Sequence, residues 1–180
     1  MSIDELDGLT YYPLVPLLIR SAKTADTAVA HYDSFMLQAL RTTAMLINRF
    51  GYDPDTAVHR DAIDWIFQSN ASNNIEVAAG SIWALGDLGV PPTSVCDRLE
   101  ELVVAEPRRK GDSPNTCRAL AFRMLARLER ETAKKYINSP ACSEFRAAIS
   151  FWFDDLKNRY PDNANLPQEL YNETQWLGHA

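Results

Sequence analysis

The side chains with potential for chemistry are few and scattered along the chain. Asp55 and His59 lie four residues apart on a predicted helix, so both could face one metal ion. Asp61 and Asp64 lie three apart, a spacing that suits two carboxylates in general acid–base work. A stable metal site needs three or four ligands, and no further ligand follows at usable spacing. Both pairs are therefore interpreted as charges on a solvated helix, and a metal- or carboxylate-dependent enzyme is an alternative.

The sequence carries no signature of a common enzyme class. It lacks the nucleophile elbow, the phosphate-binding loop and the dinucleotide fingerprint. Its 7 glycines leave little material for loops that cradle a cofactor. The cysteines Cys96, Cys117 and Cys142 are spread among apolar residues, which predicts buried free thiols. We predict a non-enzymatic protein without a metal or a cofactor.

The most suggestive polar feature is a basic segment. Residues 108–135 hold nine Lys or Arg against three acids, and two of these, Arg108 and Arg109, lie in a polar loop. Such a segment could bind phosphates or an acidic protein surface, or it could be a solvated face paired with nearby acids. Four of its residues, spaced four, three and four apart, would share one face of a continuous helix: Arg123, Arg127, Arg130 and Lys134.

The N-terminal half carries the opposite charge. Residues 1–100 contain 13 acids and 6 Lys or Arg, whereas residues 101–180 contain 11 and 12. The overall charge of −6 and the pI near 5.0 argue against general nucleic-acid affinity. Seven acids form a candidate surface that would steer a basic partner toward the protein, and most of them fall on predicted outer helices. They are Asp53, Asp55, Asp61, Asp64, Asp97, Glu100 and Glu101.

Composition predicts one cytoplasmic globular domain. Apolar residues make up 46% of the 180, enough for a core, and no apolar run reaches the roughly 18 residues of a membrane span. The N-terminus is acidic, unlike a secretory leader. We expect a single helical domain over residues 1–180, with its core over 13–160 and a tail or short capping helix over 161–180.

Nearly every apolar segment follows a helical period, and no alternating run predicts a strand, so the fold class is all-α. The clearest helix covers residues 73–88, with Asn73 as N-cap, Glu76 reaching back to it, and Gly89 closing the end. Its apolar residues predict a buried inner helix. The other predicted helices cover residues 13–23, 34–50, 53–67, 92–104, 113–131 with a continuation or a break before 137, and 139–159.

Three of these helices share one pattern. An offset of 40 places Val77–Leu88 on Cys117–Leu128, and an offset of 38 places Leu40–Gly51 on Ala78–Gly89. The run Ala-x-x-x-Trp-Ala-Leu-Gly-x-Leu-Gly from Ala79 resembles the second helix of a HEAT repeat, and Asp112-Ser-Pro-Asn-Thr-Cys-Arg118 resembles the turn before one. The resemblance covers about residues 34–130.

The resemblance to the HEAT and armadillo class implies a short right-handed stack of helical hairpins. In that class an acid and an arginine such as Asp112 and Arg118 form a ladder between repeats. Ser72 and Ala78 occupy the equivalent positions of the preceding repeat, so no continuous ladder is expected. The alternative architecture is an irregular helical bundle.

These observations lead to a ranked hypothesis. Stacked hairpins make an extended recognition face, so the first expectation is a module that binds another protein. It would act as an adaptor, or as an inhibitor or immunity-type protein that neutralises a basic partner. Nucleic-acid binding through residues 108–135, resembling HEAT-like DNA-repair glycosylases in outline only, is the alternative. No membrane association is expected.

Overall fold

A computed structural model describes residues 13–28, 30–51, 53, 55–89, 93–105, 115–140 and 142–143. Within these ranges every regular element is a helix, which confirms the all-α prediction for this part of the chain. The helices are α1 (Leu14–Thr24), α2 (Tyr32–Phe50), α3 (Ala57–Asn70), α4 (Ile75–Asp87), α5 (Thr93–Val104), α6 (Asn115–Leu128) and α7 (Arg130–Lys134).

The Cα positions group into two compact units, Met1–Arg98 and Leu99–Ala180, with the division inside α5. No described helix combines the length and apolar character needed to cross a membrane. The predicted last helix beyond Ser143 and the tail over 161–180 lie outside the described residues.

Helix α4 has the predicted ends with one correction. Its N-cap is Asn74 instead of Asn73, and the Asn74 Oδ1 accepts the backbone N–H groups of Glu76 at 2.9 Å and Val77 at 3.3 Å. The predicted capping box between Asn73 and Glu76 is wrong: the N–H of the actual cap, Asn74, donates to the Ser72 Oγ at 3.1 Å, and the Glu76 side chain is exposed. Gly89 follows the helix with φ of +82°, which confirms the predicted left-handed closure.

The entry to α3 also differs from the prediction. The helix begins at Ala57, not directly after Asp53. The Asp53 carboxylate instead accepts the Thr56 hydroxyl at 2.8 Å and the Asp55 backbone N–H at 2.9 Å. Both hydrogen bonds lower the pKa of Asp53, and the one from Thr56 has the larger effect. Asp53 therefore holds the turn that precedes α3.

Helices α2 and α4 pack side by side and run parallel. A Cβ added to Gly80 would lie 3.2 Å from the Leu37 Cα, so the two backbones approach closely at this glycine. The residue numbers of the contacting pairs increase together along the two helices, so the helices run in the same direction. Helix α3 carries the chain back between them. In chain order the contacting pairs are Asp33 with Asn74, Leu37 with Gly80, Arg41 with Asp87, and Asn48 with Gly89. Helix α1 packs against α2 and α3.

Helix α4 is the most enclosed element of the Met1–Arg98 unit. Nine of its 13 residues are buried, which confirms the predicted inner helix. The apolar stripes of the neighbouring helices enclose it. Phe35 and Ala57 are exposed, because each lies beside the buried stripe of its helix. The side chains that form this core include Val15, Ile19, Leu40, Ala44, Ile47, Ala62, Ile66, Ala78, Ile82 and Leu85.

A polar network crosses this core between α3 and α4. The Asn70 Nδ2 donates to the Ser81 Oγ at 2.5 Å, and the Ser81 hydroxyl donates to the Ala78 carbonyl at 2.6 Å. The Arg98 Nε donates to the Asn70 Oδ1 at 3.2 Å. Asn70 is 8% exposed and Ser81 is fully buried, so these hydrogen bonds replace water that neither side chain can reach.

Thr43 on α2 supplies the first test of the packing. Its hydroxyl is buried and has no hydrogen-bond partner among the described residues. Thr43→Val keeps the side-chain shape and removes this unsatisfied group, so we expect the free energy of unfolding to rise by about 1 kcal/mol. Urea unfolding followed by circular dichroism measures it. Thr42→Val, at the half-buried neighbouring position, is the control, and a loss of stability in Thr43→Val would show that the hydroxyl is bonded.

The Leu99–Ala180 unit has its own core, built by α5, α6 and α7. Glu129, with φ −138° and ψ 75°, separates α6 from α7, so the predicted helix from Ser113 breaks after Leu128 and resumes. The Arg118 Nε donates to the Val103 carbonyl at 3.3 Å, while Asp112 lies outside the described residues. The buried side chains are Leu99, Val103, Ala119, Leu120, Ala121, Phe122, Met124, Leu125, Ala133 and Cys142.

All three cysteines are free thiols. Cys142 is buried as predicted. Cys96 and Cys117 are only half-buried, because each sits at the edge of the apolar stripe of its helix.

Candidate partner-binding surface

The acids predicted to steer a partner lie where a partner could meet them. Asp55 precedes α3, and Asp61 and Asp64 lie on its solvent side; all three are exposed. Asp61 also borders an open groove of about 380 Å³ between α1 and α3, together with Arg20 and Lys23. The outer side of this unit is therefore acidic on α3 and basic at the end of α1.

The remaining acids of that set divide between the two units. Asp97 and Glu101 are exposed. Glu100 accepts a hydrogen bond from the Tyr136 hydroxyl, and this bond raises the pKa of Tyr136. Since Glu100 is engaged in this way and Asp53 holds the turn before α3, neither is presented freely to a partner.

Asp55 and His59 do not both lie on the solvated face of the helix, although the sequence predicts it. His59 is 2% exposed, and its Nδ1 lies 2.7 Å from the Asp53 backbone nitrogen and 2.9 Å from the Asp53 carbonyl oxygen. His59 lies in the first turn of α3, and its ring is directed inward to the backbone of the turn that precedes the helix. Across the described residues, no three His, Cys, Asp or Glu side chains are grouped to hold a metal ion.

The basic stripe is divided between two helices. Arg123 and Arg127 belong to α6, whereas Arg130 and Lys134 belong to α7, so the four residues do not lie on one continuous helix. The Lys134 Nζ lies 2.6 Å from the Glu131 Oε1, and the pKa of Glu131 is lowered by this contact. The three arginines of the stripe also have interaction partners within the protein. Arg108 and Arg109 lie outside the described residues.

The parallel packing of α2 and α4 brings together three residues that no sequence motif connected. The Arg41 Nε donates to the Asp87 Oδ2 at 2.8 Å, and the Arg41 guanidinium carbon lies 5.4 Å from the centroid of the Trp83 ring. The Arg41 side chain is 38% exposed and that of Asp87 only 7%. The acid is therefore enclosed, and the guanidinium lies at the surface against an aromatic ring.

Helical spacing places two further side chains next to this group. Met45 follows Arg41 by four residues, and Ala79 precedes Trp83 by four, so each lies one turn away on the same side of its helix. Arg41, Met45, Ala79 and Trp83 are all half-buried. We call this surface the α2–α4 face. Trp, Met and Arg are the residue types that protein interfaces concentrate, and Trp and Arg dominate binding energy where they occur.

One feature of the sequence pointed toward this face. The offset of 38 that aligns α2 with α4 places Met45 on Trp83 and Arg41 on Ala79, so these residues occupy equivalent positions beside the apolar stripe. The hydrogen bonds between the helices join residues 41 and 46 apart, so the helices are shifted relative to that alignment. Only this shift brings Arg41 to Trp83 and Asp87.

Compared with known proteins, the chain matches no family model, no curated protein and no solved structure. What is established for the described residues is the class: an all-helical protein with a packed core in each unit and an arginine held against tryptophan on the α2–α4 face.

Proposed function

We propose that this protein is a non-enzymatic, HEAT-like module that binds another protein through the α2–α4 face. The observation that carries the proposal is the parallel packing of α2 and α4, with α3 returning the chain between them. In a stack of helical hairpins, equivalent helices of successive repeats lie side by side and run in the same direction. The pairs α1–α2 and α3–α4 are then successive hairpins.

The further contacts of the Met1–Arg98 unit support this arrangement. Helix α1 contacts α3 just as α2 contacts α4, so each helix of the first pair meets its equivalent in the second. One row of helices then contributes the α2–α4 face, and the other row carries the exposed acids of α3.

The two surfaces suit different steps of association. Exposed carboxylates at Asp55, Asp61 and Asp64 attract a basic partner over a distance and raise its association rate. Short-range contact with Trp83, Met45 and Arg41 then holds the partner, because flat aromatic and thioether surfaces lose water on contact. An adaptor, or an inhibitor that neutralises a basic protein, fits this combination.

The proposal is tested by capture of the partner with the tagged full chain from an extract of the cells that produce it, at low and high salt. We expect capture at low salt, weaker capture at high salt, and at least about a tenfold loss of affinity in Trp83→Ala. The matched control is Leu17→Ala, an exposed apolar residue of α1 outside the face. Retention of no protein under either condition, or equal capture by Trp83→Ala and the parent chain, would refute the proposal.

The alternatives have no comparable support. In the basic stripe the three described arginines already have interaction partners within the protein, and Lys134 pairs with Glu131. An enzyme using the Asp55 and His59 region would need the imidazole at the surface, whereas His59 is buried against the Asp53 backbone.

A further inference from the structure

The guanidinium of Arg41 is held from two directions. Its Nε–H is occupied by Asp87, and its central carbon lies over the Trp83 ring. A guanidinium has five N–H donors in a planar fork, so four donors on the two Nη atoms remain after the bond to Asp87. These Nη groups have no hydrogen-bond partner among the described residues.

The geometry fixes what such a group recognises. Two Nη donors at the outer edge of a planar fork match the two oxygens of a carboxylate. The fork is already oriented, so little side-chain entropy is lost when an anion binds. The enclosed Asp87 balances the charge of Arg41, so a ligand is selected by the geometry of the fork more than by long-range attraction.

We propose that Arg41 is the anchor for a carboxylate of the partner protein, supplied by an Asp or Glu side chain that packs its stem on Trp83. This inference rests on the proposed function and specifies its partner. The partner is basic overall, which suits the acids of α3, and presents one acid to the α2–α4 face. Lysine at position 41 would keep the charge but lose the fork, so Arg41→Lys is not a conservative change at this site.

The test uses a matched pair of short peptides with the full chain: a lysine-flanked peptide with one central glutamate, and the same peptide with glutamine. Arginine-selective ¹H–¹⁵N spectra follow the Nε–Hε signal of Arg41. We expect a saturable shift with the glutamate peptide and binding at least about tenfold weaker with glutamine. In Arg41→Lys the two peptides, followed by the Trp83 indole N–H signal, should bind alike, and thermal melting checks that the variant is folded.

Three outcomes would overturn the inference: equal binding of the two peptides to the parent chain, a glutamate preference that persists in Arg41→Lys, or an equal Arg41 shift with inorganic phosphate. The last would identify a general anion site. The two proposals fail separately. If Trp83→Ala abolishes capture of the partner while the peptides bind alike, the α2–α4 face is confirmed and the carboxylate anchor is refuted. If no partner is captured but the glutamate preference depends on Arg41, the carboxylate site is confirmed and capture of a partner through the α2–α4 face is refuted.

Discussion

Replacing Gly80 with leucine is expected to cost about 3 kcal/mol of unfolding free energy, the upper end of the range for overpacked cores. A Cβ at this position would lie 3.2 Å from the Leu37 Cα and 3.3 Å from its Cγ, before the rest of the leucine is added. The Leu37 Cα belongs to the backbone of α2, which cannot move without separating α2 from α4. Because this contact joins the two parallel helices, the loss should affect the whole Met1–Arg98 unit.

Urea unfolding followed by circular dichroism measures the effect, and two variants show its cause. Ala79→Leu changes the half-buried neighbour on the same helix and should alter stability by no more than about 0.5 kcal/mol. The stability of Gly80→Ala should lie between those of the two leucine variants. Alanine gains about 1 kcal/mol of helix propensity over glycine, and this gain partly offsets the close contact of its Cβ with Leu37. Equal stability of Gly80→Leu and Ala79→Leu would contradict the close approach of α2 and α4.

Replacing Asn70 with leucine is expected to cost about 2 kcal/mol, since buried polar partners lose their hydrogen bonds without gaining water. The change removes the amide that donates to the Ser81 Oγ and accepts from the Arg98 Nε. Leucine has the same number of side-chain heavy atoms with the same branching and is somewhat larger, so no cavity forms and the loss does not report one. Chemical unfolding of the variant is compared with that of Gln68→Leu, an exposed change on the same helix, for which little effect is expected.

A double-mutant cycle identifies the network more directly. Ser81→Ala alone should cost about 1 kcal/mol, and the double variant with Asn70→Leu should lose less than the sum of the two. Strict additivity would mean that Asn70 and Ser81 do not interact, and the hydrogen bond between them would be absent.

The predictions that depended on local patterns were the accurate ones. Apolar residues every three or four positions specified α2, α4 and α5, because a helix that buries one face must repeat in that way. Gly89 was recognised as a helix terminator because left-handed φ values suit glycine. Such features are decided within a few residues of the chain.

The N-cap of α4 is chosen by a contact with another helix. Asn73 and Asn74 are equally good caps by type, and the structure selects Asn74, whose Nδ2 donates to the Asp33 carboxylate of α2. That partner lies 41 residues away in the chain. Since no short segment contains both groups, the selection between two adjacent asparagines was visible only after the helices had packed.

The amino-acid sequence by itself determined that this protein is built from amphipathic helices, roughly where each begins and ends, and which apolar side chains enclose the core. Those properties follow from spacing along one helix. Tertiary structure alone decided that His59 turns inward and that Arg41, Trp83 and Asp87 form one group. A hydrogen bond or a cation–ring contact between α2 and α4 depends on their parallel direction and axial shift, and no short segment of the chain contains both helices.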